Sequence, residues 1–278
     1  MHKGHSFTPL RYPGGKTSLF GYFSDVIGTN NWHDTVYIEP YAGGAGAALS
    51  LLCMERVSSI VINDFDPAVY AFWISATQDT KRLVNLIEKT PVNMKMWYEQ
   101  REIYRTADLS DPLSLGFATF FLNRTNRSGI LNAGVIGGKA QSGEWKLDAR
   151  YNKGSLIKKI ETIGYFRKRI SVLNEDGMEV VKQYSNYENS FFYIDPPYYV
   201  KGSGLYLNSF SPSDHKNLAS LLNLKNNTNW ILSYDNVDEI SSMYTERRSL
   251  VFNLTYSANH NSKNGSELMV FSDSVLIP

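Results

Sequence analysis

The chain has 278 residues, 42% of them hydrophobic, and a formal net charge of +1, which supplies a sizeable core and excludes a disordered or fibrous protein. No stretch approaches the roughly 18 uninterrupted apolar residues of a membrane span, and no apolar run of signal-peptide type occurs, so a cytoplasmic protein with no membrane partner is expected. One cysteine, Cys53, rules out an internal disulfide and reads as a buried helix residue, while five histidines without ligand spacing give no expectation of a metal.

In chain order, the first feature is "RYPGGKTS", Arg11 to Ser18. Its Gly-Lys-Thr is not a P-loop: the glycine required upstream is replaced by Leu10, and no apolar strand leads into it. "TVYIEPYAGGAGAALSLLCM" then reads as a strand over Val36 to Ile38, a glycine-rich turn and a helix. "SSIVINDFDPAVYAFWISA" repeats the pattern, with a strand over Ile60 to Ile62, an acidic turn and a helix. Two such units in succession predict a parallel α/β sheet. A glycine turn feeding a helix N-terminus favours a ligand close to the backbone, with Gly43, Gly44 and Gly46 as candidates. Asp64 follows Gly43 by 21 residues, about the spacing at which an acid at the next strand end binds a ribose diol. The dinucleotide fingerprint G-x-G-x-x-G is absent, so an adenosine-containing ligand without a pyrophosphate fits better, S-adenosylmethionine being the common one.

From Lys81 to Arg169 the strand-helix alternation stops, and a mainly helical, then glycine-rich and basic stretch reads as an inserted module. Residues 123–170 carry 11 Lys and Arg against 3 Asp and Glu, leaving 17 against 24 elsewhere. A basic segment on a mildly acidic body is expected where a polyanion is gripped. Alternation resumes with "RISVLNED", "SFFYIDPPYY" and "NWILSYDN"; between the last two, Ser211, Pro212 and Asp214 read as N-cap, first helical residue and capping-box acid. "SLVFNLTYS" and "SELMVFS" close the chain as strands joined by the polar loop "ANHNSKNG".

The most specific stretch is "FFYIDPPYYV", an apolar strand ending in Asp195, Pro196, Pro197 and Tyr198. Together with "YPGGK" and "EPYAGG" upstream, in that order, it resembles the Dam-type (D12 class) DNA adenine-N6 methyltransferase family, from about Pro9 to Ser272. The resemblance implies a Rossmann-like α/β methyltransferase sheet formed by residues 1–80 and 170–278, with an inserted, mainly helical target-recognition domain over 81–169. It implies S-adenosyl-L-methionine as cofactor, held by Tyr12, Lys16, Asp64 and Asp195 with Glu39 and Gly43 in the adjoining loop. It further implies methyl transfer to the exocyclic N6 of a flipped-out adenine in double-stranded DNA. Asp195 and the Pro196 carbonyl would accept the two amino hydrogens, Pro197 would fix the turn, and Tyr198 would stack on the base.

"LNRTNRSG" is similar to the family's Asn-Arg-x-x-x-Asn-Gly stretch, Asn123 and Arg124 matching and Ser128 replacing the second asparagine. In "GEWKLDARYNK" Trp145 replaces a family phenylalanine, and the stretch before it is longer. These departures lie where target sequence is read, so no recognition site is carried over. Asn123, Arg124, Arg127, Lys139, Lys146 and Lys153, with Lys158 and Lys159, are the candidate DNA contacts. A monomer is expected, with a cognate restriction endonuclease, if one accompanies it, acting separately. The alternatives are amino methylation of cytosine N4, of RNA adenine or of a protein glutamine, a silent DNA-binding module, and an NAD-dependent oxidoreductase.

Overall fold

The structure, a computed structural model, describes residues 6–12, 15–200, 210–224, 228–256 and 263–278, without the side chains of 253–256 and 263–265. Pro13 and Gly14 of the lysine loop, and most of the loop expected between the last two strands, lie outside the described residues. The strands are β1 (Val36–Glu39), β2 (Ser59–Asn63), β3 (Ile170–Leu173), β4 (Ser190–Ile194), β5 (Asn229–Asp235), β6 (Arg248–Tyr256) and β7 (Lys263–Phe271). They form one sheet in the order β3-β2-β1-β4-β5-β7-β6. The first five are mutually parallel, and β7 runs antiparallel between β5 and β6. The last strand, read from "SELMVFS", is thus an interior, antiparallel one.

The chain builds outward from β1 to β3, then crosses back to β4 on the other side of β1. Strand order therefore reverses between β1 and β4, and open α/β sheets bind ligands beyond the carboxyl ends at such a switch point. Glu39 ends β1, and Asp195 immediately follows β4. All of β4 is buried, as its uninterrupted Phe-Phe-Tyr-Ile demands of a central parallel strand. Its side chains alternate between two apolar layers, Phe191 and Tyr193 on one face and Phe192 and Ile194 on the other.

The first layer is covered by α1 (Phe20–Thr29), α2 (Gly46–Cys53) and α3 (Pro67–Gln78), the second by α8 (Gly177–Tyr184) and α9 (Pro212–Leu224). The α9 start is the capping box read from sequence: Ser211 Oγ and backbone N both donate to Asp214 Oδ2, at 2.6 and 2.8 Å. α1 and α8 were not expected. α1 lacks a side-chain cap and contains Gly21 and Gly28, so its start signals are weak, while α8, capped by Asp176 accepting from the Met178 N–H at 2.8 Å, is only eight residues long and offers a short pattern.

Residues 80–166 hold α4 (Thr80–Lys89), α5 (Met94–Thr106), α6 (Pro112–Thr125) and α7 (Lys153–Phe166). Their apolar faces are continuous with the first layer: Leu83, Trp97, Phe120 and Ile163 join the cluster that contains Phe72 and Trp73 of α3. Phe72 and Phe120 stack with centroids 6.0 Å apart. Gly116 lets α6 approach α3 closely, since a Cβ there would lie 2.5 Å from the Ala71 carbonyl oxygen. No helix among the described residues is long and apolar enough to cross a membrane. Cys53, expected to be buried, is half-buried at the last turn of α2, and burial pushes its thiol up to about 11.

Candidate active site

The glycine turn after β1 is shaped by its neighbours rather than by sequence-local rules alone. Gly43 has φ +48°, and a Cβ on it would meet the Tyr12 ring at 2.5 Å; one on Gly44 would meet Tyr12 Cβ at 2.9 Å. One on Gly46 would lie 2.3 Å from Thr17 Oγ1. Only glycine at these positions lets the lysine loop lie flat on the turn. The Gly43 carbonyl accepts from Trp73 Nε1 at 3.0 Å, and its N–H donates to Asp64 Oδ2 at 2.9 Å.

Two carboxyl groups flank this turn. Asp64 follows β2 directly, accepts also from the Asp66 N–H at 2.9 Å, and is pushed up to about 7 by burial. Asp66 itself caps α3 by accepting from the Ala68 N–H at 2.8 Å. Glu39, 4% exposed, accepts from the Ala48 N–H in the first turn of α2 at 3.1 Å, and burial pushes it up to about 8. Its position at a helix N-terminus eases the cost of a buried acid.

Beyond β4 the polar groups converge on Asp195. Lys16 Nζ donates to Asp195 Oδ1 and Oδ2 at 3.0 and 2.9 Å and to the Tyr198 hydroxyl at 2.7 Å. Ser233 Oγ donates to Asp195 Oδ1 at 2.6 Å, and Tyr193 OH lies 2.6 Å from Ser233 Oγ. Tyr198 OH in turn donates to Glu267 Oε1, and Glu267 Oε2 is 3.6 Å from Lys16 Nζ. Burial raises the Glu267 carboxyl, opposed by the Lys16 charge, and burial with the nearby Asp195 and Glu267 charges keeps the Tyr198 phenol protonated. The turn itself is anchored by Asp235 at the end of β5, which accepts from the N–H groups of Tyr199 and Val200, each at 3.0 Å.

Tyr12, Lys16, Glu39, Gly43, Asp64 and Asp195 all line one cleft of about 630 Å³, which Pro197 also borders. That volume is typical of a small-molecule site. Tyr198 lies in the apolar layer, 8% exposed. The sequence reading missed Ser233 and Glu267 at the polar cluster, and Phe65 and Asp176 on the cleft wall. An acid within an apolar strand pattern is the signal that marks Glu267, because burying one is costly unless it is paired.

The basic candidates divide. Asn123 is buried, accepts from the Arg11 N–H at 2.8 Å and donates to the Arg11 and Gly129 carbonyls at 2.7 and 2.9 Å. Lys153 Nζ donates to the Glu88 and Thr90 carbonyls at 2.7 Å, closing the end of α4. Lys146 Nζ donates to the Gln141 and Gly143 carbonyls of its own loop. Arg127, Lys139 and Lys158 are exposed. Arg124 donates to the Arg150 carbonyl at 2.7 Å, and burial followed by the charges of Arg11 and Arg150 lowers it to about 10. Lys159, lowered by burial and by Arg124, completes a cluster of four cations, none of which forms an ion pair among the described residues. Such a cluster of one sign is an electrostatic footprint for an anion.

A mostly parallel seven-stranded sheet whose switch-point cleft combines a glycine turn, an acid after β2 and an Asp-Pro-Pro-Tyr turn after β4 has the architecture of a methyltransferase. Residues 12–259 match the family of D12 class N6 adenine-specific DNA methyltransferases, and the chain belongs to that family. It is therefore an adenine-specific DNA methyltransferase, of a kind that generally uses S-adenosylmethionine. No curated protein matches the chain.

Proposed function

We propose that the enzyme binds S-adenosylmethionine in the switch-point cleft and methylates the N6 of an adenine flipped out of duplex DNA, with Asp195 as the acceptor that activates the amino group. The observation that carries this reading is the convergence of Lys16 and Ser233 on the Asp195 carboxylate in the wall of a cleft that the other five cofactor candidates also line.

The donor set fits the cofactor. Asp64 beside the glycine turn suits a ribose diol, the Tyr12 ring and the exposed Phe65 offer apolar faces for an adenine, and Glu39 offers a carboxyl to a cationic group. The bound cofactor supplies an electrophilic methyl group on a sulfonium.

Adenine's exocyclic nitrogen is a weak nucleophile because its lone pair is delocalised into the ring. Asp195 accepts one amino hydrogen and the Pro196 carbonyl the other, which localises that lone pair toward the methyl donor. The two prolines and the Asp235 contacts to Tyr199 and Val200 hold these acceptors rigidly. Asp195 need not take a full proton before transfer; the proton leaves the methylated amine afterwards. Alignment supplies most of the remaining rate enhancement. The target atom is unreachable in a stacked duplex, so the base must be extruded, and Tyr198, buried in the second apolar layer with its hydroxyl on Lys16 and Glu267, must turn out of that layer to serve as the stacking ring. Arg11, Arg124, Arg150 and Lys159, with the exposed Arg127, Lys139 and Lys158, offer cations to the DNA backbone.

The test is incubation with labelled S-adenosylmethionine and unmethylated genomic DNA, followed by nucleoside analysis and base-resolution mapping. Labelled N6-methyladenine at one short motif is expected. Label on cytosine, RNA or protein would replace the substrate, and binding of cofactor and DNA without transfer would overturn the catalytic reading.

A further inference from the structure

Three charged side chains from distant parts of the chain meet at the cleft wall: Lys16 from the lysine loop and Asp195 from the turn after β4, both lining the cleft, and Glu267 from β7 behind them. One ammonium serves two carboxylates. Lys16 is 6% exposed and Glu267 1% exposed, so solvent screens neither. Asp195 Oδ1 accepts from both Lys16 and Ser233, and Oδ2 accepts from Lys16. A cation bonded to both oxygens withdraws the electron density that an amino hydrogen would draw on. Alone with Lys16, Asp195 would be a neutralised and weakened acceptor. Glu267 changes this balance, because its Oε2 lies 3.6 Å from the same ammonium while its Oε1 holds the Tyr198 hydroxyl that Lys16 also contacts.

We infer that Glu267 is a positioning residue that acts through Lys16, sharing the ammonium charge so that the Asp195 carboxylate remains a strong acceptor for the target amino group. This rests on the reading of Asp195 given above. The same arrangement explains a buried acid at a core-facing position of β7, between Met269 on its own face and Asp235 across the ladder.

Glu267→Gln keeps the shape and an oxygen for the Tyr198 hydroxyl but removes the charge. In single-turnover assays with labelled methyl donor, the rate is expected to fall about 10- to 100-fold, with cofactor Kd and DNA KM within about threefold of wild type. In a Lys16→Met background the same change is expected to have no further effect. Glu267→Asp is expected to lose rate but to retain more than Glu267→Gln. A Glu267→Gln rate within about twofold of wild type, or an equal loss in the Lys16→Met background, would overturn the inference. So would a loss that Tyr198→Phe reproduces in full, which would assign the effect to the hydroxyl contact alone. If the glutamine variant does not fold, Glu267→Asp carries the test: a fall in rate with unchanged KM is expected, and a changed KM or full activity overturns it. Asp195→Ala measured alongside separates the two readings, since activity retained there rejects the active-site assignment itself, whatever Glu267 does.

Discussion

Lys16 Nζ holds both carboxylate oxygens of Asp195, at 3.0 and 2.9 Å, across 179 residues of chain. The contact joins the lysine loop, which leads into α1, to the turn that follows β4, and it closes the cleft from one side. Asp195→Ala is expected to abolish methylation while leaving DNA binding largely intact. Activity retained within about tenfold, about 1.4 kcal/mol of barrier, would reject its role.

Gly43→Ala forces a Cβ into the Tyr12 ring at a residue with φ +48°. The strain is expected to cost about 1–3 kcal/mol of stability, and displacement of Tyr12 should weaken cofactor binding. Thermal denaturation and calorimetric titration with S-adenosylmethionine check both effects. Unchanged binding would show that Tyr12 can leave the turn without harm to the site.

Glu39 has an ordinary pKa of 4.5 and is pushed up to about 8 by burial. The folded protein therefore holds a proton that the unfolded chain releases between these values. Stability from this group is fully present below about 4.5 and is lost as pH rises through about 8. Glu39→Gln should flatten that slope, as read from denaturant midpoints across the range. An unaltered slope would place the titration elsewhere.

Arg150 is exposed and its charge acts on both Arg11 and Arg124. Arg150→Ala should weaken DNA binding to all sequences alike and lower the slope of log affinity against log salt by about 1. Lys153→Ala, whose ammonium is engaged by the end of α4, should leave that slope unchanged. Fluorescence anisotropy over a salt series distinguishes the two, and equal slope changes would contradict the division of the basic residues drawn from the structure.

Asn123→Ala removes three hydrogen bonds, two to the Arg11 backbone and one to the Gly129 carbonyl. A loss of about 1–3 kcal/mol of stability is expected, since buried partners are left unsatisfied. A drop in DNA affinity with no change in thermal midpoint would instead give Asn123 a direct role at the DNA.

The strands were readable because Val-Tyr-Ile, Ile-Val-Ile and Phe-Phe-Tyr-Ile are short apolar runs punctuated by glycine, acid and proline. Glu39, Gly43, Asp64 and Asp195 were readable because each stands at or just beyond a strand end, whereas Tyr12 and Lys16 were found through the lysine-loop motif, which no strand feeds. What stayed hidden depends on pairing between distant segments. Nothing near Glu267 in the chain shows that β7 lies beside β5, with its acid facing Lys16 and Tyr198. Ser233 looks like any strand serine until β5 is set beside β4. For Asn123 and Lys153, residue type and charge alone could not separate a group facing solvent from one satisfied by nearby carbonyls.

The close seat of α6 on α3, made possible by Gly116, bears on any exchange of the helical segment. The helices between 80 and 166 are not a cassette hung on a linker: their inner faces complete the same apolar layer that supports the glycine turn. A graft that carries over only the outer loops between α6 and α7, such as 137–147, leaves this joint intact. One that replaces whole helices must bring its own match for Phe72, Trp73 and the Ala71 carbonyl, or the apolar layer beneath the glycine turn loses its footing.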